Sequence, residues 1–218
     1  MQTQRVRVNI KETPVVSVDG IADFVLKTGA FQREYGSDAE PVAAWGLRAK
    51  AWISRLRSEF GGYLRHAAVV SKYRPGQFRD PEWKADEAHA LDNLCVDDSG
   101  RKVVIDEPRL LTATMEKNEN DATASRAFME FAERKEQIVL IGATTTSCIA
   151  KTFRRLLPQM EAQSIDLQRI IASRDGFASR RSRALDEQRI LDELEAHPNI
   201  IMVKTLSDIC WVLGKKPL

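Results

Sequence analysis

Cysteine and histidine each occur only three times in this 218-residue chain, and neither charge sign predominates. Each scarcity narrows what the chain does. Cys95, Cys148 and Cys210 are odd in number and unmatched in spacing, which predicts a reducing, cytoplasmic setting and no disulfide framework. With 33 basic against 31 acidic residues the net charge is +2, so the electrostatic footprint of a nucleic-acid partner is missing. The one arginine cluster (Arg180, Arg181, Arg183) is interrupted by Asp186 and Glu187 and reads as a solvated helix start. No run approaches the ~18 apolar residues of a membrane span, and the opening MQTQRVRVNIKE has no apolar signal core, so no membrane association is expected. Internal repeats, low-complexity tracts and linkers are also lacking, which predicts a single domain over residues 1–218.

What is present is a regular alternation of strand-like and helix-like segments, with 43% hydrophobic residues, enough for a full core. Strands are expected at "PVVSVD" (14–19), "HAAVVSKY" (66–73), "LLTATMEK" (110–117), 138–143, "LQRIIASRD" and "IIMVKT". Helices are expected from Val42 to about Phe60, with Trp45, Leu47, Trp52, Ile53 and Leu56 as the apolar face. Others are expected at 123–136, Thr146 to Leu157, 182–197 and the terminal "LSDICWVL". Residues 80–106 read as a polar, irregular insert with a turn at "DDSG". The alternation predicts an α/β fold, a mostly parallel sheet with helices on both faces.

In such sheets ligands sit beyond the carboxyl ends of the strands, where strand order reverses. The rule brings together Asp19, Tyr73 to Gln77, Lys117 and Gly142 to Cys148. In "QIVLIGATTTSCIAKTFRRL" (137–156), Cys148 falls in the first turn of a helix leaving a central strand. Unpaired backbone N–H groups and the helix dipole there predict a lowered thiol pKa, with Thr144, Thr145, Thr146 and Ser147 as capping hydroxyls. The position suits a nucleophile. It equally suits a small buried hydrophobe.

Gly142-Ala143-Thr144, followed by Cys148-Ile149 and Thr152, resembles the "G-x-x-T-x-x-C-V-x-x-T" stretch of the isochorismatase-like cysteine hydrolases, with Thr145 at the usual threonine position. "VVSVDGIADF" is similar to the opening strand of that family, and "MEKNENDATASRAF" to the segment carrying its lysine. The resemblance covers roughly residues 14 to 206. It implies a three-layer αβα, doubly wound, Rossmann-like sheet of about six strands and a catalytic triad of Asp19, Lys117 and Cys148. Asp19 would be general base and acid, Lys117 would stabilise the thiolate, and Cys148 would attack an amide-type carbonyl. The resemblance also implies a cis peptide at Ala143-Thr144, an oxyanion hole from the amides of Thr144 and Cys148, and a homodimer or larger homo-oligomer. An apolar terminal helix bearing Trp211 and Val212 would offer the surface for self-association.

Two departures narrow the chemistry. Ile21 stands where the family has glutamine, and "SKYRPGQFRDPEW" has no histidine where metal-binding nicotinamidases carry theirs. His66, His89 and His197 are scattered, so no cofactor and no histidine-based metal site are expected. A small molecule is the expected partner, with Phe24, Tyr73 and Arg74 as candidate substrate contacts. Two competitors stand beside this reading. Cys148 to Arg154 spells the C-x5-R phosphatase spacing, although "IAKTF" lacks the glycines of a phosphate loop. The other is a non-catalytic protein that keeps the fold for binding or scaffolding.

Overall fold

Runs of branched residues become strands here because neighbours cover both their faces. The computed structural model describes residues 5–77 and 93–214. Its strands are β1 (Val6–Asn9), β2 (Val15–Val18), β3 (His66–Ser71), β4 (Ala113–Lys117), β5 (Gln137–Ala143), β6 (Arg169–Ser173), β7 (Phe177–Ala178), β8 (Ile200–Val203) and β9 (Ile209–Val212). Its helices are α1 (Ala22–Val25), α2 (Ala30–Tyr35), α3 (Glu40–Phe60), α4 (Asp98–Arg101), α5 (Arg126–Ala132), α6 (Ala150–Glu161) and α7 (Ala184–Glu195).

The main sheet runs β4-β3-β2-β5-β6-β8, every neighbouring pair parallel, and β7 extends the edge of β5 beyond β6. Strand order reverses between β2 and β5. Alternate side chains feed two separate cores. Val15, Val139 and Ile141 join Trp45, Ala49 and Ile53 of α3 on one face. Val16, Val18 and Leu140 join Phe128, Phe153 and Leu191 of α5 to α7 on the other. This is the doubly wound, three-layer α/β arrangement, with the strand interiors buried as parallel strands require.

Four readings of the sequence need correction. "LSDICWVL" has helical apolar spacing, yet it forms a short 3-10 turn (Leu206–Asp208) followed by β9. Its β-branched and aromatic residues find a parallel partner in β1, a strand the pattern did not reveal. Trp211 packs against Trp52 with ring centroids 6.1 Å apart, so the expected apolar helix for self-association does not form. Leu47 of α3 is 69% exposed, because α3 buries Val42, Trp45, Gly46, Ala49, Trp52, Ile53 and Leu56 instead. The helix expected over 123–136 is confined to α5, after a 3-10 turn at Ala122–Ala124.

The expected insert is only partly irregular. Residues 80–92 of it lie outside the described residues, as does His89. Among the described part, Leu94, Cys95, Val103 and Ile105 are buried in the core, and Asp97 caps α4 at the predicted turn. Val103 bridges antiparallel to Ile21, and Ile105 fills the space beside Gly20. Ile21 is itself fully buried in that core, which accounts for an apolar residue at position 21. None of the described helices is long and apolar enough to cross a membrane.

Candidate active site

Strand order reverses between β2 and β5, and beyond the carboxyl ends of these strands three buried side chains from separate strands meet. Asp19 directly follows β2 with a left-handed backbone (φ 57), a conformation that aspartate tolerates better than most residues. Its amide donates to Val69 O at 2.9 Å, which fixes it against β3. Lys117 ends β4 in register with Ser71 of β3, one strand further out. Its side chain spans that strand and reaches the meeting point fully covered.

There the Lys117 ammonium lies 3.0 Å from Asp19 Oδ2, 3.6 Å from Cys148 Sγ and 2.6 Å from Ser71 Oγ, and it donates to Glu119 O at 3.1 Å. The other carboxylate oxygen, Asp19 Oδ1, accepts from the Ser71 amide at 2.9 Å. Asp19 is 0% exposed, and Lys117 and Cys148 are each 2% exposed. Burial disfavours the lysine's charge, but the surrounding acidic groups, Asp19 foremost, together prevail and hold the Lys117 pKa well above its ordinary value. The lysine is a fixed cation.

Cys148 sits in a π-helical turn, Thr145–Ile149, that precedes α6, after the Ala143–Thr144 peptide, which is cis. The expectation of a lowered thiol pKa is corrected by this setting. Burial pushes the thiol up to about 12, with the Asp19 carboxylate adding to it and Lys117 and the Thr144 amide opposing. The sulfur is therefore a neutral thiol at rest.

The hydroxyls around Cys148 do not cap its turn either. Thr145 Oγ1 donates to Glu187 Oε1 at 2.7 Å, and the Thr146 amide donates to Ser179 Oγ at 2.9 Å. Two elements remote in sequence thus clamp the turn from outside. Thr152 Oγ1 donates to Cys148 O at 2.6 Å and accepts from the Ala122 amide at 2.8 Å, joining the turn to the loop after Lys117. Gly142 lets the turn close, since a Cβ there would lie 2.5 Å from Ile149 Cδ1 and 2.9 Å from Val18 O.

Of the remaining candidates, only Tyr73 lies beside the three. Tyr73 turns inward, 3% exposed, with its hydroxyl donating to Asn120 Oδ1 at 2.6 Å. Arg74 lines a cavity of about 600 Å³ together with Lys72, Tyr73, Arg101, Asn118 and Glu119. Phe24 is buried against Phe31, ring centroids 5.1 Å apart. The rival carboxylate Asp23 accepts from the amides of Ala30 and Cys95, a loop-tying role. His66 bridges Ser17 and Asp106, and His197 contacts Glu161. Among the described residues no cluster of three or more histidine, cysteine, aspartate or glutamate side chains is placed to hold a metal. Cys148 to Arg154 runs on as continuous helix with Arg154 exposed, so no phosphate-cradling loop forms. Ser71, Asn120, Ser179 and Glu187 escaped the sequence reading. The strand-end rule reaches Ser71; nothing in the pattern marks the other three.

Neither a protein-family model nor a curated protein matches the sequence. Solved structures do match in shape. PnC1 from L. infantum, solved in complex with nicotinate, aligns with a TM-score of 0.65 at 12% identity, covering 95% of this chain and 100% of that one. An isochorismatase-like hydrolase from Alkaliphilus metalliredigens aligns with a TM-score of 0.63 at 14% identity, covering 89% and 95%. N-carbamoylsarcosine amidase from Thermoplasma acidophilum aligns with a TM-score of 0.53 at 18% identity, covering 88% and 96%. The chain has the fold of the isochorismatase-like hydrolases, the same group that its residues around Asp19, Lys117 and Cys148 resemble.

Proposed function

We propose that this protein is a cysteine hydrolase that cleaves an amide, carbamoyl or related C–N bond of a small molecule. The observation that carries the reading is the Lys117 ammonium, 3.0 Å from Asp19 Oδ2 and 3.6 Å from Cys148 Sγ, at the switch point of the sheet. Asp19 takes the thiol proton as the sulfur attacks the carbonyl carbon, and Lys117 balances the charge that moves between them. The carbonyl oxygen becomes an oxyanion facing the amides of Thr144 and Cys148. Collapse breaks the C–N bond, and protonated Asp19 returns its proton to the departing nitrogen. Asp19 then deprotonates a water that attacks the thioester, releasing the acid and restoring the thiol. Enclosure of all three groups strengthens each of these electrostatic terms. Arg74, on the wall of the adjoining cavity, is the proposed contact for an anionic part of the substrate.

A panel of primary amides, carbamoyl compounds and ureido acids, assayed for ammonia release, tests this reading. The expected result is turnover of at least one class, abolished by Cys148→Ala, with a covalent acyl adduct on Cys148 detected by mass spectrometry. Turnover that persists in Cys148→Ala refutes the mechanism. A second reading, binding without turnover, draws on the 2% exposure of Cys148 and its thiol pKa of about 12. It predicts that panel members bind, as measured by calorimetry, with none consumed.

A further inference from the structure

Lys117 is only as useful as its placement, and a second set of buried groups controls that placement. An ammonium is a donor with no acceptor capacity. Ser71 Oγ, 2.6 Å away, must therefore accept from it. The single proton of that hydroxyl is then committed to Tyr73 OH, 3.0 Å away, and the phenolic proton to Asn120 Oδ1 at 2.6 Å. In the structure the chain of donors runs from the ammonium through Ser71 and Tyr73 to Asn120. Ser71 also donates its main-chain N–H to Asp19 Oδ1 at 2.9 Å, so one residue sets both members of the ion pair. The Tyr73 ring adds a face 5.9 Å from the ammonium. Ser71 is 0% and Tyr73 3% exposed, which keeps water from substituting for a missing partner.

We propose that Ser71, Tyr73 and Asn120 form a hydrogen-bonded relay that positions Lys117 between Asp19 and Cys148. These are positioning residues, and the inference rests on the hydrolase reading above. Removing the tyrosine hydroxyl frees the Ser71 proton to turn toward Asp19 or the lysine side. The lone pair that holds the ammonium then rotates away, and the thiolate loses part of its stabilisation.

The test follows carboxamidomethylation of Cys148 by iodoacetamide from pH 6 to 10, with peptide mass spectrometry to separate it from Cys95 and Cys210. Tyr73→Phe, Asn120→Ala and Ser71→Ala should each slow Cys148 labelling about fivefold, the effect of losing one hydrogen bond of a network. The pH–rate curve should move to higher pH, and Ser71→Thr should restore the rate to within about twofold. Misfolding would expose the sulfur and speed labelling, the opposite sign. Asn120→Ala, at the partly exposed end of the relay, supplies the result if Tyr73→Phe does not fold. Labelling at the native rate and pH profile in both variants overturns the proposal. Lys117→Met separates the two levels of inference. If it labels slowly while the relay variants are native-like, the relay alone is wrong; if it too is native-like, the triad reading falls with it.

Discussion

Replacing Lys117 with methionine removes one charge from the site with little change in side-chain length. The ammonium lies 3.6 Å from Cys148 Sγ. At an effective dielectric of about 20, the attraction it offers a thiolate at that distance is about 4 to 5 kcal/mol, or roughly three pKa units. With the native thiol pushed up to about 12 by burial, the thiolate is a small minority at pH 7.5. The variant should lower that fraction by a further hundredfold to thousandfold. Iodoacetamide labelling of Cys148 under pseudo-first-order conditions reads the change directly.

Folding and reactivity respond differently, which makes the prediction strict. Lys117→Met alone strands a buried carboxylate and should cost about 3 to 5 kcal/mol in urea unfolding. Asp19→Asn combined with Lys117→Met removes both charges and should recover most of that stability while remaining unreactive. A Lys117→Met protein labelled within threefold of the native rate, with the native pH profile, would refute the claim that this lysine sets the state of the sulfur.

Glu187→Ala, which removes the acceptor for Thr145 Oγ1, should cost about 1 to 3 kcal/mol by urea titration, whereas Glu187→Gln, which keeps an acceptor, should cost less than about half of that. Gly142→Ala places a methyl against Ile149 and the Val18 carbonyl, and should lower stability by about 1 to 3 kcal/mol while slowing any turnover found in the substrate panel. Asp106 supplies an acid-range test. Burial would raise its pKa, but hydrogen bonds from His66 and Arg57 prevail and hold it at about 2. A depressed carboxyl contributes stability above its unfolded pKa and loses it as pH falls through the folded one. About 2 kcal/mol should therefore disappear between pH 4 and pH 2, and Asp106→Asn should flatten that limb of the acid-unfolding curve.

Local signals were enough for the central sheet, whereas the family resemblance was needed to single out Asp19, Lys117 and Cys148 among the residues at its edge. Branched runs such as "VVSV" and "QIVLIGA" carry their strand character within a few residues, and every residue in their interiors is buried on a parallel sheet. The strand-end rule then reaches Asp19, Lys117 and Cys148, because topology alone puts the ends of parallel strands along one edge. The terminal segment shows where such signals stop. Helical spacing in "LSDICWVL" was overridden by a strand partner some two hundred residues away, Val6–Asn9, which no local pattern announces.

The electrostatic state of the sulfur was equally out of reach. A helix start predicts a low thiol pKa, and the same position suits a small buried hydrophobe, so local sequence leaves the sulfur's state open. Enclosure beside Asp19 reverses the sign, since burial and a neighbouring carboxylate both oppose a second negative charge. Ser71, Tyr73 and Asn120 behind the lysine, and Ser179 and Glu187 behind the Cys148 turn, come from chain positions whose proximity exists only after folding. Residue types and periodicity thus determined the sheet and which chemical groups stand along its edge. Tertiary packing alone decided how those groups are protonated and held, because solvation and long-range contacts are properties of the assembled surroundings.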